Sequence, residues 1–178
     1  SWIVPPEECS EHPSCSPAAG AQFIARLLEA LTADADVWAS TVLLINYDEN
    51  DGFFDHVPPP VPHAGTPEEF VAGLPIGLGL RVPMFVVSPW SRGGYVCPQV
   101  FDHTSVIRLI EVVTGVREPN ISPWRRAVCG DLTSAFDFTT RVFPPPSRDP
   151  WLSAPTQAGS AGIVPIQEAG ERSMRSSP

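Results

Sequence analysis

Lysine is absent from these 178 residues, and all eleven basic side chains are arginines. They do not cluster, and against twenty carboxylates they leave a formal net charge of -9. Binding a phosphate backbone needs a basic face, so this balance argues against nucleic acid as a partner. No run of eighteen apolar residues occurs, so no helix of this chain is expected to span a bilayer. Familiar catalytic signatures are missing too: there is no H-E-x-x-H and no G-x-S-x-G. Gly77-Leu78-Gly79 precedes an expected strand, not a helix, and so is not a dinucleotide loop. Asp48-Glu49-Asn50-Asp51-Gly52 has its glycine one position early for a calcium-binding helix-loop-helix, and no glutamate closes the loop.

Cysteine is sparse. Cys9, Cys15, Cys97 and Cys129 form no C-x-x-C pair, which argues against a zinc knuckle or a thioredoxin-type site. An even count suggests disulfides and an oxidising compartment, and therefore a secreted or envelope-associated protein. Three connectivities are open. Cys9–Cys15 with Cys97–Cys129 is preferred because short loops close at the least entropic cost. Buried free thiols are the alternative.

What is present begins with the 43% of hydrophobic residues, enough for one globular domain with a core. Ser1-Trp2-Ile3-Val4-Pro5-Pro6 reads as a strand entered mid-fold, so the chain is expected to be a processed product or a piece of a larger enzyme. Ser16-Pro17 predicts a helix start, with Phe23, Ile24, Leu27, Leu28 and Leu31 on one face. The apolar run Thr41–Tyr47 predicts a strand buried on both faces. A long loop over 48–80 follows, with Pro58-Pro59-Pro60 and Pro62 barring helix and central strand. Thr66–Phe70 is expected to form one helical turn. Val82–Ser88 predicts a second strand. Phe101-Asp102-His103-Thr104 opens a helix with Val106, Ile107, Leu109, Ile110 and Val113 inward, ending near Gly115. A short helix is expected from Trp124 to Cys129, and a compact closing segment over 131–138. The order helix–strand–loop–strand–helix predicts half of an α/β sheet.

Two constellations carry chemistry. The strand at 41–47 runs straight into Asp48, Glu49 and Asp51, and three crowded carboxylates need water, a cation or a partner to offset their charge. Asp102-His103 stands at a loop-to-helix corner, where both side chains can converge on one divalent metal. The alternative readings are a solvated acidic turn and a plain helix cap.

Taken in order, Glu11-His12-Pro13, Tyr47 through Pro59, Val82-Pro83 through Gly94, Phe101 through Ser105, and Ile110-Glu111 closely resemble the bacterial phosphoesterase family of phospholipases C and acid phosphatases, in the alkaline-phosphatase-like superfamily. The resemblance covers roughly residues 1–138. It implies an α/β fold: the C-terminal half of an alkaline-phosphatase-like sandwich, with a mostly parallel central sheet flanked by helices. Residues 1–143 would be the C-terminal part of the catalytic domain and 144–178 a Pro/Ser-rich extended tail. It implies hydrolysis of phospholipid head groups of the phospholipase C type, with phosphomonoester hydrolysis, or an inactive fragment with a structural or binding role, as alternatives. The family's nucleophile does not map here, since Ser88, Ser91, Thr104 and Ser105 stand at no nucleophile motif. An N-terminal chain of the same enzyme is therefore an expected partner, and passing contact with a membrane surface is expected.

Residue by residue, the resemblance makes Asp102, His103 and Asp48 the expected ligands of a divalent metal: Zn, Ca, Mn or Fe. Asp48 alternatively orients the phosphoryl group. His12 and His56 are expected to bind phosphoryl oxygens or protonate the leaving alcohol, with imidazole poised near neutral pH. Glu49 and Asp51 are expected to support them. Trp2, Phe54, Trp90 and Tyr95 would suit a cationic head group, although packing is the plainer role. His63 matches nothing and is expected at the surface.

Overall fold

The structure, a computed structural model, describes residues 1–140 except Asp51, Phe53, Phe54, Arg92 and Gly94. The expected tail over 144–178 lies outside the described residues. Residues 1–6 form no strand: Trp2, Ile3 and Val4 are exposed, and a 3-10 turn follows at Glu7–Cys9.

Helix α1 (Pro17–Thr32) starts as the sequence predicts. Ser16 Oγ accepts from Ala18 N at 3.3 Å, and Pro17 holds the first position, where no amide partner is required. Its apolar stripe is half-buried. Helix α2 (Ala35–Ala39) is capped by Asp34, whose carboxylate accepts from Asp36 N and Val37 N at 2.8 and 3.1 Å. It carries Trp38, only 3% exposed.

Strand β1 (Leu43–Asn46) follows. The connection after it holds a small hairpin, β2 (Phe70–Val71) and β3 (Leu74–Pro75). Ala72 and Gly73 both have positive φ, which a two-residue hairpin turn matched to strand twist requires. The helical turn expected over 66–70 is instead a non-helical turn at Pro67-Glu68 and a bend at Glu69 leading into a strand. Strand β4 (Met84–Val87) returns alongside β1 with Leu43 opposite Val87 and Asn46 opposite Met84.

This register corrects the parallel sheet. Both strand pairings among the described residues are antiparallel. The physical reason is the connection. A parallel partner needs a crossover to the far end of β1. Here the chain re-enters at the end where β1 stops, and Tyr47 N donates to Pro83 O at 3.2 Å. With one neighbour each, the strands are also less enclosed than expected: Leu43, Leu44 and Ile45 are half-buried, and Phe85 is 54% exposed. The mixture of helix and strand stands as expected.

Helix α3 (His103–Thr114) has Asp102 at its N-cap in a capping box with Ser105, and ends at Gly115 with φ 72, a value glycine adopts without steric cost. Val106 and Leu109 are half-buried, but Ile107, Ile110 and Val113 remain exposed. Helix α4 (Pro123–Val128) is capped by Ser122, whose Oγ accepts from Arg125 N at 3.1 Å. Ile121, Cys129, Leu132 and Phe136, which flank it in the chain, are buried. Among the described residues, no helix is long and apolar enough to cross a membrane.

All four cysteines are free thiols, so neither expected disulfide is formed. Cys15 and Cys97 bond elsewhere. Cys15 Sγ donates to Glu7 O at 3.0 Å, and Cys97 Sγ lies 3.4 Å from Ser134 Oγ. Burial, and then the adjacent Asp102 carboxylate, push the Cys129 thiol up to about 12. Disulfide formation proceeds through the thiolate, which that environment suppresses.

Candidate functional site

The site is built around the carboxyl end of β1. Tyr47 is bonded there at both its main chain and its side chain. Its hydroxyl donates to Glu11 Oε2 at 2.5 Å, and its carbonyl oxygen lies 3.2 Å from His103 Nε2, which donates when it carries the proton. The bond to Glu11, aided by burial, raises the phenol above its ordinary value, so Tyr47 stays a donor. Tyr47 thereby bonds the residue before His12, precedes Asp48 and faces the exposed His103.

Glu11 sits at φ 61, an uncommon conformation for a residue with a Cβ. Its side chain lies over Gly20 of α1, where a Cβ would overlap Glu11 Oε1 and Cγ. Glycine at 20 therefore makes room for Glu11. His12 next to it is exposed, with Nδ1 3.4 Å from Ser14 Oγ. Asp48 and Glu49 are exposed; Asp51 lies outside the described residues.

The loop after Asp48 is tied back toward the same end of the sheet. Arg81 donates from Nε to Asp55 Oδ2 and from Nη2 to Asp55 Oδ1, the latter at 2.8 Å. That guanidinium holds the Asp55 carboxyl well below its ordinary range. His56 Nδ1 lies 3.5 Å from Asp55 Oδ1, and its side chain is 90% exposed. Because Arg81 precedes Pro83, the partner of Tyr47 N, His56 is tethered to this end of the sheet. His63 is exposed, as expected.

Asp102 is only 6% exposed at its side chain, and its charge is balanced by arginine. Oδ2 accepts from Arg125 Nη1 at 2.8 Å and Oδ1 from Thr104 Oγ1 at 2.6 Å. Arg125 also donates from Nε and Nη2 to Glu69 at 2.9 and 3.1 Å, and from Nη2 to Gly77 O at 2.9 Å. Glu69 is 1% exposed and accepts further from Ser122 Oγ at 2.5 Å. Burial opposes the Arg125 charge, but hydrogen bonds to Asp102 and Glu69 outweigh it and raise the guanidinium further. Sequence reading missed this network. Its one available signal was the adjacent pair Arg125-Arg126 behind the Ser122-Pro123 cap, in a chain poor in cations.

The expected metal ligands do not make a complete site. Among the described residues, no group of three or more His, Cys, Asp and Glu side chains could hold a metal ion. Asp102 is met by a guanidinium and a hydroxyl, and His103 is turned to the Tyr47 carbonyl.

The hydroxyls passed over as nucleophiles have structural work. Ser88 Oγ donates to Thr41 O, Ser91 Oγ to Val86 O, and Thr104 Oγ1 to Asp102. Ser105 is fully buried in the capping box. Trp90 donates from Nε1 to Ala39 O at 2.9 Å and packs 6.0 Å from the Phe138 ring, a packing role; Trp2 and Tyr95 are exposed, and Phe54 lies outside the described residues.

The chain is similar to known proteins over most of its length. It is 48% identical to the non-hemolytic phospholipase C of Pseudomonas aeruginosa, over 94% of this chain and 26% of that protein. It is 46% identical to the non-hemolytic phospholipase C of Burkholderia pseudomallei, over 100% of this chain and 30% of that protein. It is 46% identical to phospholipase C A of Mycobacterium tuberculosis, over 87% of this chain and 32% of that protein. The chain thus spans about a quarter to a third of the length of these relatives. The Phosphoesterase family model matches residues 1–117, and the chain belongs to the Phosphoesterase family.

Proposed function

We propose that this chain supplies the acid–base and orienting half of a phospholipase C-type site, which splits the phosphodiester between a phospholipid's glycerol and its head group. The observation that carries the reading is that Tyr47 bonds the residue before His12, precedes Asp48 and faces His103. Family membership and relatives named phospholipase C support it. The enzyme is read as bacterial and as secreted or envelope-associated.

The hydroxyl that attacks phosphorus comes from an N-terminal half of the same domain; it reacts as its alkoxide and is released as the alkoxide when the phospho-enzyme is split. The new P–O bond forms as the bond to the glycerol oxygen breaks. His12 or His56 gives that oxygen a proton, and diacylglycerol leaves. Water then splits the phospho-enzyme, with the deprotonated imidazole accepting its proton, and the phosphorylated head group departs. Asp48, with Glu49 beside it, orients the imidazoles and the phosphoryl group. The divalent cation expected from the sequence would need ligands beyond those described here, and proton transfer and orientation are the steps this segment carries.

The face for the N-terminal half is the apolar side of α3, where Ile107, Ile110 and Val113 are 37, 45 and 77% exposed, together with Phe85 on β4. An open apolar stripe of this kind marks a contact surface. An alkaline-phosphatase-like sandwich would bury it under the remaining strands and helices.

The test is turnover of nitrophenyl phosphorylcholine and nitrophenyl phosphate, side by side, by this segment joined to the N-terminal half. Preference for the diester is expected. Preference for the monoester would make the protein a phosphatase, and turnover of neither would remove the enzymatic reading.

A further inference from the structure

The Asp102 corner is held more firmly than a helix cap requires. Capping needs one side-chain acceptor for the first amides of the helix. Here the carboxylate is fixed by Thr104 on one oxygen and by Arg125 on the other. Arg125 is in turn gripped by Glu69 through two nitrogens and by the Gly77 carbonyl. A carboxylate as buried as Glu69, at 1% exposure, is tolerated only when paired. The planar guanidinium fork transmits orientation, since its donors point in fixed directions. Two carboxylates against one guanidinium also leave one formal negative charge at the corner. His103 follows Asp102 directly, and its ring reaches Tyr47 O.

We propose that Arg125, anchored on buried Glu69, is a positioning residue that sets the Asp102 carboxylate and, through it, the placement of His103 beside Tyr47. This rests on the reading that the corner belongs to the phosphoester site. The arginine touches no reacting atom. It couples the β2/β3 hairpin, which carries Glu69, to the corner from which α3 starts. A purely structural tie would hold the same elements together without governing His103.

The experiment compares Arg125→Met, Arg125→Lys, Asp102→Asn and the double variant in the complete enzyme. Arg126→Met serves as control, because Arg126 pairs with Glu111 and does not bond to Asp102. Arg125→Met is expected to lower kcat on nitrophenyl phosphorylcholine on the order of 10²-fold, the scale of a misplaced catalytic group. KM should move far less, and Arg125→Lys should recover part of the loss. In the Asp102→Asn background the same change should cost little more, because the carboxylate it orients is already gone. Equal losses in both backgrounds would overturn the proposal.

A second readout does not depend on turnover. His103 is exposed, but its Nε2 faces Tyr47 O; the rate at which diethylpyrocarbonate modifies it, read by mass spectrometry, should change in Arg125→Met and stay at the native value in Arg126→Met. If the enzyme turns over neither ester, the proposed function fails, but the labelling still decides this inference. An unchanged His103 rate in Arg125→Met overturns it. Should Arg125→Met not fold, Glu69→Gln, which loosens the arginine without removing it, gives the same comparison.

Discussion

Tyr47, Glu11 and Gly20 form a chain of dependence in which each position explains the next. The Tyr47 hydroxyl bonds the Glu11 carboxylate, and Glu11 occupies the space that a side chain at 20 would fill. Two effects oppose each other when Gly20 becomes alanine. Replacing an interior helical glycine gains about 0.5–1 kcal/mol in propensity. Displacing Glu11 loses a hydrogen bond to a charged group, worth about 1.5–3 kcal/mol. The loss should win, so Gly20→Ala is expected to lower the denaturant midpoint despite better helix propensity. In a Tyr47→Phe background, where that bond is already absent, Gly20→Ala should cost less or turn neutral. A plain gain in the native background would mean that the Tyr47–Glu11 bond contributes nothing. Glu11-His12-Pro13 was legible in the sequence as a motif, but the motif does not say that Glu11 makes the anchoring bond. Tyr47 read as the end of an apolar run and the start of a motif, not as the partner of Glu11.

Helices α1, α3 and α4 were legible because their signals are local, whereas α2 (Ala35–Ala39) was not expected. Ser16-Pro17, Asp102 with Ser105, Gly115 and Ser122-Pro123 each mark an end within four residues. The strands were legible as runs, but their direction was not, because pairing depends on where the long connection returns the chain. The link between Arg125 and Glu69 spans 56 positions and leaves no local trace.

The helix pair α3 and α4 supplies a pH test. Glu111 accepts from two nitrogens of Arg126, at 2.7 and 2.8 Å, and from Glu118 N at 2.6 Å. Its carboxyl is lowered from 4.5 to about 2, with Arg126 the main cause, partly opposed by desolvation. A carboxylate whose folded value is depressed adds stability above its ordinary value and loses it as pH falls through the folded one. The contribution should therefore be complete above about pH 4.5 and fade toward about pH 2. Denaturation midpoints taken down this range should fall for the native chain. The difference from Arg126→Met should be constant above the window and shrink within it. A difference that does not change with pH would show that the pair contributes no linked proton.

At the scale of the molecule, the helix and strand content and the family were legible, while the enclosure of the sheet was not. The sequence predicted a strand buried on both faces and a helix with five inward residues. The described residues leave Phe85 and the Ile107–Ile110–Val113 stripe open. A hydrophobic pattern records what a position is suited to touch, not whether the touching partner lies in the same segment. The chain spans about a quarter to a third of its relatives, which leaves room for such a partner.

The most direct measurement is recombination. This chain and the N-terminal half proposed for its domain would be produced separately and mixed, and release of phosphorylcholine from phosphatidylcholine vesicles would be followed. The account predicts no release from either half alone and turnover from the mixture. It also predicts that His12→Ala lowers turnover about 10²-fold or more, the scale of a lost general acid, without preventing association, while Val113→Asp weakens association itself. Full activity of the N-terminal half alone, or a mixture indifferent to His12, His56 and Asp48, would contradict the claim that this segment carries the acid–base side of the site.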